Sequence, residues 1–306
     1  MKKLLKFLKW LFLSTLVFIL VFFTASEITI AVFARQASES PLYDYETVEV
    51  DGNSIAYREL ISEGEETLVI VHGFLGSSYE YVDLFKNVDD EAFNTRVIAI
   101  DTPGFGMSDK PADYLYTSAN QASTLLKATA TMGIDSFALL GHSMGGEIAQ
   151  HMAATSERVE KLLLLDPVAP DAEIESVRVP SVLLRVFFQN YWLQRLGFNT
   201  GPVEPLPRET FRPAMIQNHS IPSDILQQFS LEVDTEYPID FAEKIDIPVF
   251  IAYGSLDTWA PPELLDTYLT LYPQAESAII EGAGHLPYLE KPEITSRLIV
   301  NFLNND

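Results

Sequence analysis

The chain has 306 residues, 47% of them hydrophobic and 11% aromatic, with 18 prolines, 15 glycines and no cysteine. That composition excludes a disordered or collagen-like chain, and the missing cysteine excludes disulfides, thiolate zinc sites and a cysteine nucleophile. Net charge is −23 and uneven: residues 1–35 hold Lys2, Lys3, Lys6, Lys9 and Arg35 against Glu27 alone, which leaves a net of −27 on the remainder. Such an acidic surface repels phosphate backbones and disfavours nucleic acid as a partner.

Residues 1–9 are lysine-rich, Trp10–Ala25 is an almost unbroken apolar run, and after Ser26 and Glu27 the chain is apolar again through Ala34. A helix over residues 10–34 would span roughly 37 Å, enough to cross a ~30 Å hydrocarbon core with tilt, with Glu27 near one interface and able to snorkel outward. Lysines ahead of the segment place the N-terminus in the cytoplasm and the following domain outside. The rival reading is a secretory signal cut before Arg35, although the apolar stretch exceeds the usual signal length. A third reading is a buried or interfacial helix. Residues 36–46 read as a linker.

The globular part then alternates short apolar strands with helices. Thr47–Val50 and Ser54–Arg58 flank Asp51-Gly52-Asn53, a hairpin signal. Thr67–Val71, Arg96–Ile100, Phe137–Leu140, Lys161–Leu165, Val249–Tyr253 and Ala278–Ile280 read as strands; Ser118–Met132, Ser143–Thr155, Pro262–Leu271 and Glu293–Leu303 read as helices. The pattern predicts one α/β domain over residues 47–306, a mostly parallel sheet with helices on both faces. Between about 168 and 240 the alternation breaks. Val177–Phe198 is apolar and aromatic and Gly201–Pro213 is proline-rich, which reads as a helical lid over the carboxyl ends of the strands or as an ordinary helical layer of the core.

Gly141-His142-Ser143-Met144-Gly145 follows a strand and opens a helix. A sharp strand-to-helix turn exposes the serine Oγ at a helix N-terminus, and only glycine at the flanking positions lets neighbouring backbone pass so closely. A serine hydroxyl needs a base. Of the five histidines, His142 should point away from its neighbour, His151 lies two helical turns on, His219 falls in the insertion, and His72 reads as a shaper of its own loop. His285 remains, in Glu281-Gly282-Ala283-Gly284-His285 past the last strand. The acid that would hold its tautomer is Asp257, in Gly254-Ser255-Leu256-Asp257; a helix cap before Pro261-Pro262 is its bland reading, and Asp166 at another strand end is its rival. Backbone N–H groups of Phe74 and Met144 are the candidate oxyanion donors, their side chains lining an acyl pocket.

These features together resemble the α/β-hydrolase superfamily. The resemblance covers about residues 47–306 and rests on His72-Gly73-Phe74, Gly141-His142-Ser143-Met144-Gly145-Gly146, Gly254-x-x-Asp257 and Gly284-His285, with Asp101-Thr102-Pro103-Gly104-Phe105-Gly106-Met107-Ser108 similar to a supporting loop. It implies the α/β-hydrolase fold and a Ser143–His285–Asp257 triad working through an acyl-enzyme on carboxylic esters, as an esterase or lipase. Related members cleave carbon–carbon bonds or act as cofactor-free haloperoxidases, and those with an aspartate nucleophile are disfavoured by serine at 143. The alternatives are a carbon–carbon or amide-bond hydrolase on the same triad and a low-turnover ligand-binding member. No motif requires a metal or organic cofactor. The expected partners are a small-molecule ester or lipid and, through the N-terminal helix, a membrane; no obligate protein partner is implied.

Overall fold

Strands of this chain carry apolar side chains in steps of two, and successive residues of the central strands drain into opposite cores. Val69, Val71 and Leu139 enter one cluster, whereas Leu68, Ile70 and Leu140 enter the other. In the computed structural model, residues 2–37, 41–88, 93–170, 180–195, 203, 206–229 and 238–305 are described. Eight strands form one sheet: β1 (Glu46–Val50), β2 (Asn53–Ile61), β3 (Glu66–Val71), β4 (Thr95–Ile100), β5 (Phe137–His142), β6 (Val159–Leu165), β7 (Val249–Gly254) and β8 (Glu276–Ile280). Their order is β1-β2-β4-β3-β5-β6-β7-β8. β2 runs antiparallel to both its neighbours and every other pair is parallel.

α1 is Lys2–Gln36, α2 is Ser118–Thr131 and α3 is Met144–Thr155. Helices α2 and α3 cover one face of the sheet together with α9 (Leu264–Leu271). On the other face lie α10 (Pro287–Glu290) and α11 (Pro292–Leu303) with Tyr81, Leu84, Phe85 and Phe93. Two boundaries differ from the sequence reading in ways that matter. β5 runs on through His142, and α3 begins at Met144, so Ser143 belongs to neither element. The helix expected from Pro262 starts at Leu264, because Pro261 and Pro262 form a turn whose carbonyls accept the Leu264 and Leu265 amides. The four-residue α10 is too short to give a periodic signal.

Between β6 and β7 sits a helical insertion: α4 (Ser181–Gln189), α5 (Tyr191–Arg195), α6 (Arg208–His219), α7 (Ser223–Phe229) and α8 (Pro238–Phe241). The ends of the apolar run 177–198, most of 201–205 and part of the 36–46 segment lie outside the described residues. α4 packs on α7, α5 and α6. Its inward residues Leu184 and Phe188 join Phe105, Tyr116, Ile221, Ile225, Leu226 and Phe229 in an apolar cluster above the strand ends.

α1 is one continuous helix, long and apolar enough to cross a membrane, and most of its large side chains from Phe7 to Ile28 are exposed. One face of its last third is covered by protein. Ile30 is 3% exposed and packs with Tyr191, Met215, Phe33 and Phe211. Ser26 Oγ accepts the Tyr191 N–H at 2.9 Å, and the Arg212 guanidinium lies 4.2 Å above the Phe33 ring. Glu27 does not simply reach into water as the sequence suggested. It pairs with Arg185 at 3.3 Å and with His219 Nε2 at 3.0 Å, because both stand on insertion helices that abut α1. An open apolar cleft of about 320 Å³ separates Trp192 of α5 from Phe18, Val21, Phe22 and Ala25 of α1.

Truncating a well-packed isoleucine costs ~2–5 kcal/mol. Ile30→Ala is therefore expected to loosen α1 from α5 and α6, seen as faster amide hydrogen exchange in those two helices with protection of β3 and β5 unchanged.

Candidate active site

Ser143 has φ +52° and ψ −122°, a conformation sparsely populated by any L-residue and costing ~1–3 kcal/mol. Surrounding structure over-determines it. The Ser143 N–H donates to Leu165 O at 3.0 Å on β6, and its own carbonyl accepts from Gly146 at 2.8 Å. A Cβ at Gly141 would lie 2.3 Å from Gly145 O, and one at Gly145 would lie 2.4 Å from His72 O. Strand, helix and the β3 loop are thus in backbone contact around the serine, and neither glycine can carry a side chain.

His285 Nε2 lies 3.0 Å from Ser143 Oγ, and His285 Nδ1 lies 2.7 Å from Asp257 Oδ2. Asp257 is an acceptor only, so Nδ1 carries the proton and Nε2 is left bare to receive one from the serine. Asp257 Oδ1 also accepts the Trp259 and Ala260 amides at 2.7 and 3.1 Å. The cap-like role and the acid role weighed against each other in the sequence are held by one carboxylate, one oxygen each. The indole of Trp259 is half-exposed and lies 5.9 Å from the imidazole, nearly parallel to it.

The two amides nominated as oxyanion donors lie on backbone segments next to Ser143. Met144 is the first residue of α3, where no preceding helical turn supplies a carbonyl for its N–H. A Cβ at Gly73 would lie 3.1 Å from Ser143 Cβ, which puts the Gly73–Phe74 backbone against the serine. The side chains of Phe74 and Met144 pack into the cluster shared with α4 and α7, Phe74 meeting Phe105, Phe188 and Phe229 edge-on at 5.5–5.8 Å. Asp101 braces this loop by accepting the Ser78 and Met107 amides at 2.6 and 2.7 Å. Beneath it, Glu80 accepts the Tyr288 hydroxyl at 2.9 Å; burial pushes its carboxyl up to about 7, although the bonds from Tyr288 and the Ser77 backbone pull the other way.

The remaining histidines take structural roles. His72 donates Nδ1–H to Gly73 O at 2.7 Å and accepts the Thr102 amide at Nε2, at 3.1 Å. His151 is buried against Phe241, and His219 pairs with Glu27. His142 does turn away from the Ser143 hydroxyl, but it points at the base. Its Nε2–H donates to the His285 carbonyl at 2.7 Å, and burial beside His285 and His72 holds it neutral. A second support was invisible in the sequence. Glu290 Oε1 accepts the Gly284 and Leu286 amides on either side of His285, at 3.0 and 3.2 Å, and its Oε2 accepts the Val203 amide from the insertion at 2.8 Å.

Asp166, the rival acid, is buried at φ +43° and does not reach the imidazole nitrogen that Asp257 holds. Its Oδ1 accepts the Gly254 amide at 2.7 Å. One polar atom each of Asp166, Asp257 and His285 lie within 4.8 Å of one another, the single such group among the described residues. Both imidazole nitrogens and both Asp257 oxygens are already engaged in hydrogen bonds. The trio therefore does not offer a free set of donor atoms to a cation.

A model of the alpha/beta hydrolase fold matches residues 66–208, and a solved membrane phospholipase A, described as a bacterial virulence factor, superposes with a TM-score of 0.69 over 98% of both chains at 26% identity. The chain has the α/β-hydrolase fold. It is also 25% identical to the uncharacterized hydrolase YugF of Bacillus subtilis, over 83% of its own length and 96% of that protein. It is 26% identical to Lipase 3 of Moraxella sp., over 80% and 79% of the two chains.

Two outcomes follow from the supporting carboxylates. Glu290→Ala frees the amides on both sides of His285 and is expected to lower kcat about 10-fold, while Glu290→Gln, which keeps an acceptor, stays near wild type in the same ester assay. Glu80 binds its proton more tightly folded than unfolded. Its contribution is therefore full below pH 4.5 and is lost as pH rises towards about 7. Thermal melts across that window should show Tm of the wild type falling more steeply than that of Glu80→Gln.

Proposed function

We propose that this hydrolase cleaves carboxylic esters with an apolar acyl group through a Ser143–His285–Asp257 triad. The observation that carries the reading is the unbroken line from Ser143 Oγ to His285 at 3.0 Å and on to Asp257 at 2.7 Å. His285 Nε2 takes the Ser143 proton as Oγ attacks the carbonyl carbon. The negative charge that develops on the carbonyl oxygen is received by the Phe74 and Met144 amides, at the positive end of α3. Collapse breaks the ester bond, and His285 returns the proton to the leaving alkoxide. Water then repeats the sequence on the acyl-enzyme: it loses a proton to His285, releases the acid and restores the serine.

The acyl preference is inferred from the wall beside Ser143, where Phe74, Met144, Phe188 and Phe229 form an apolar surface and Trp259 stands exposed at the imidazole. The names of Lipase 3 and the membrane phospholipase A agree with it. α1 acts as an anchor with its lysines on the cytoplasmic side and the catalytic domain beyond the membrane. The insertion acts as the lid. Because α5 and α6 grip the end of α1, the lid stands where that helix leaves the bilayer, with Trp192 at the level of the headgroups.

A fluorophosphonate probe should label the wild type and leave Ser143→Ala unlabelled, and that variant should lose at least ~10³-fold in kcat on p-nitrophenyl esters. Activity rising from acetate to medium acyl chains is the expected profile. Turnover of acetate alone would remove the acyl reading, and product analysis on amide and diketone substrates would expose a different bond specificity.

A further inference from the structure

Asp166 is fully buried, ends β6 in a backbone conformation that favours glycine, and is bonded through only one of its two oxygens. Its Oδ2 accepts no hydrogen bond from any described residue. A buried oxygen without a donor is costly for a carboxylate, whose two oxygens accept and never donate. The neighbouring carboxylate explains it. Asp257 lies within the same 4.8 Å group and has three donors of its own, His285 Nδ1–H and the Trp259 and Ala260 amides. Two buried carboxylates at that separation do not both ionise, and the one with three donors keeps the charge. Glu290 adds a third acidic group to the field at Asp166, and among the described residues His285 is the one basic side chain within ion-pair reach of either carboxylate. Burial and the proximity of Asp257 both raise the Asp166 carboxyl well above the usual range, the Gly254 amide opposing them.

We propose that Asp166 is held as the neutral acid and donates its Oδ2–H to the Asp257 carboxylate, extending the relay to four residues and acting as a positioning residue for the triad acid. This rests on the triad reading above. Asp166 touches no substrate atom. Its proton orients the Asp257 carboxylate towards the imidazole N–H and draws off part of the negative charge that faces the ring. An ionised Asp166 would add a second negative charge near the imidazole and raise its affinity for a proton.

The test compares Asp166→Asn and Asp166→Ala with wild type in the full-length protein. Asparagine keeps a neutral side chain that accepts from Gly254 and donates towards Asp257. It should hold kcat within about 3-fold and leave the acid limb of the kcat/KM profile in place, whereas alanine should lose at least about 10-fold in kcat, with its acid limb moved to higher pH. Difference infrared spectroscopy of wild type against Asp166→Asn, without substrate, should show the carbonyl stretch of a protonated carboxyl disappearing. An acid limb moved to lower pH in Asp166→Asn would mean that a negative charge had been removed, and would overturn the proposal. So would a protonated-carboxyl region that is identical in wild type and Asp166→Asn. The infrared arm needs no turnover, so a failure of the ester reading leaves it interpretable, and it also decides the case if Asp166→Ala does not fold.

Discussion

The backbone of Ser143 is forced into a conformation that β5 and α3 alone would not adopt, and everything at the site hangs on the contacts that hold it there. Gly141 and Gly145 allow the carbonyls of Gly145 and His72 to approach within a side chain's width, so that helix, strand and the β3 loop lock against each other. The same contact delivers three things at once. It lifts the serine hydroxyl off the sheet, aims the first amides of α3 past it, and brings the Gly73–Phe74 backbone alongside. A strain of ~1–3 kcal/mol is small beside the buried strands that enforce it.

Around that point the polar scaffolding is nearly all backbone-directed. Asp101 holds the loop after β3, Glu290 holds the loop carrying His285, and His142 holds the His285 carbonyl. Each uses a buried or half-buried acceptor or donor to restrain a stretch of chain that has no regular ladder of its own. The insertion is tied into this scaffolding as well. Ser77, in the loop that holds Phe74, donates to Gln217 of α6 at 2.7 Å, and Val203 donates to Glu290. α6 therefore touches the loop carrying Phe74 near one end and packs against α1 through Phe211 and Met215.

How much of this was legible in the sequence follows from what each feature depends on. The sheet was legible because its strands are short apolar runs bounded by turns. Ser143 was legible because its turn needs glycine at fixed spacing, and His285 and Asp257 because each follows a strand end on a loop able to reach the same rim. The partners of those residues were not. His142 finds the carbonyl of a residue 143 positions away, and nothing local distinguishes it from a histidine packed for bulk. Glu290 looks like an acid in the first turn before a proline, and its meaning lies in two amides folded back over it. Glu27 reads in the sequence as an acid snorkelling outward near an interface, since its partners Arg185 and His219 belong to helices whose docking no periodicity encodes.

The burial of Ile30 and Phe33 bears on how the molecule can be separated from the bilayer. A cut before Arg35, where a leader peptide would be clipped, removes side chains that fill the space between Tyr191, Met215 and Phe211. The freed catalytic unit would carry a raw greasy notch beside its insertion and a stranded Tyr191 amide that Ser26 no longer caps. A shortened version meant to stay monodisperse in detergent-free buffer should begin a few residues ahead of Ser26, discarding the greasy shaft while keeping the plug.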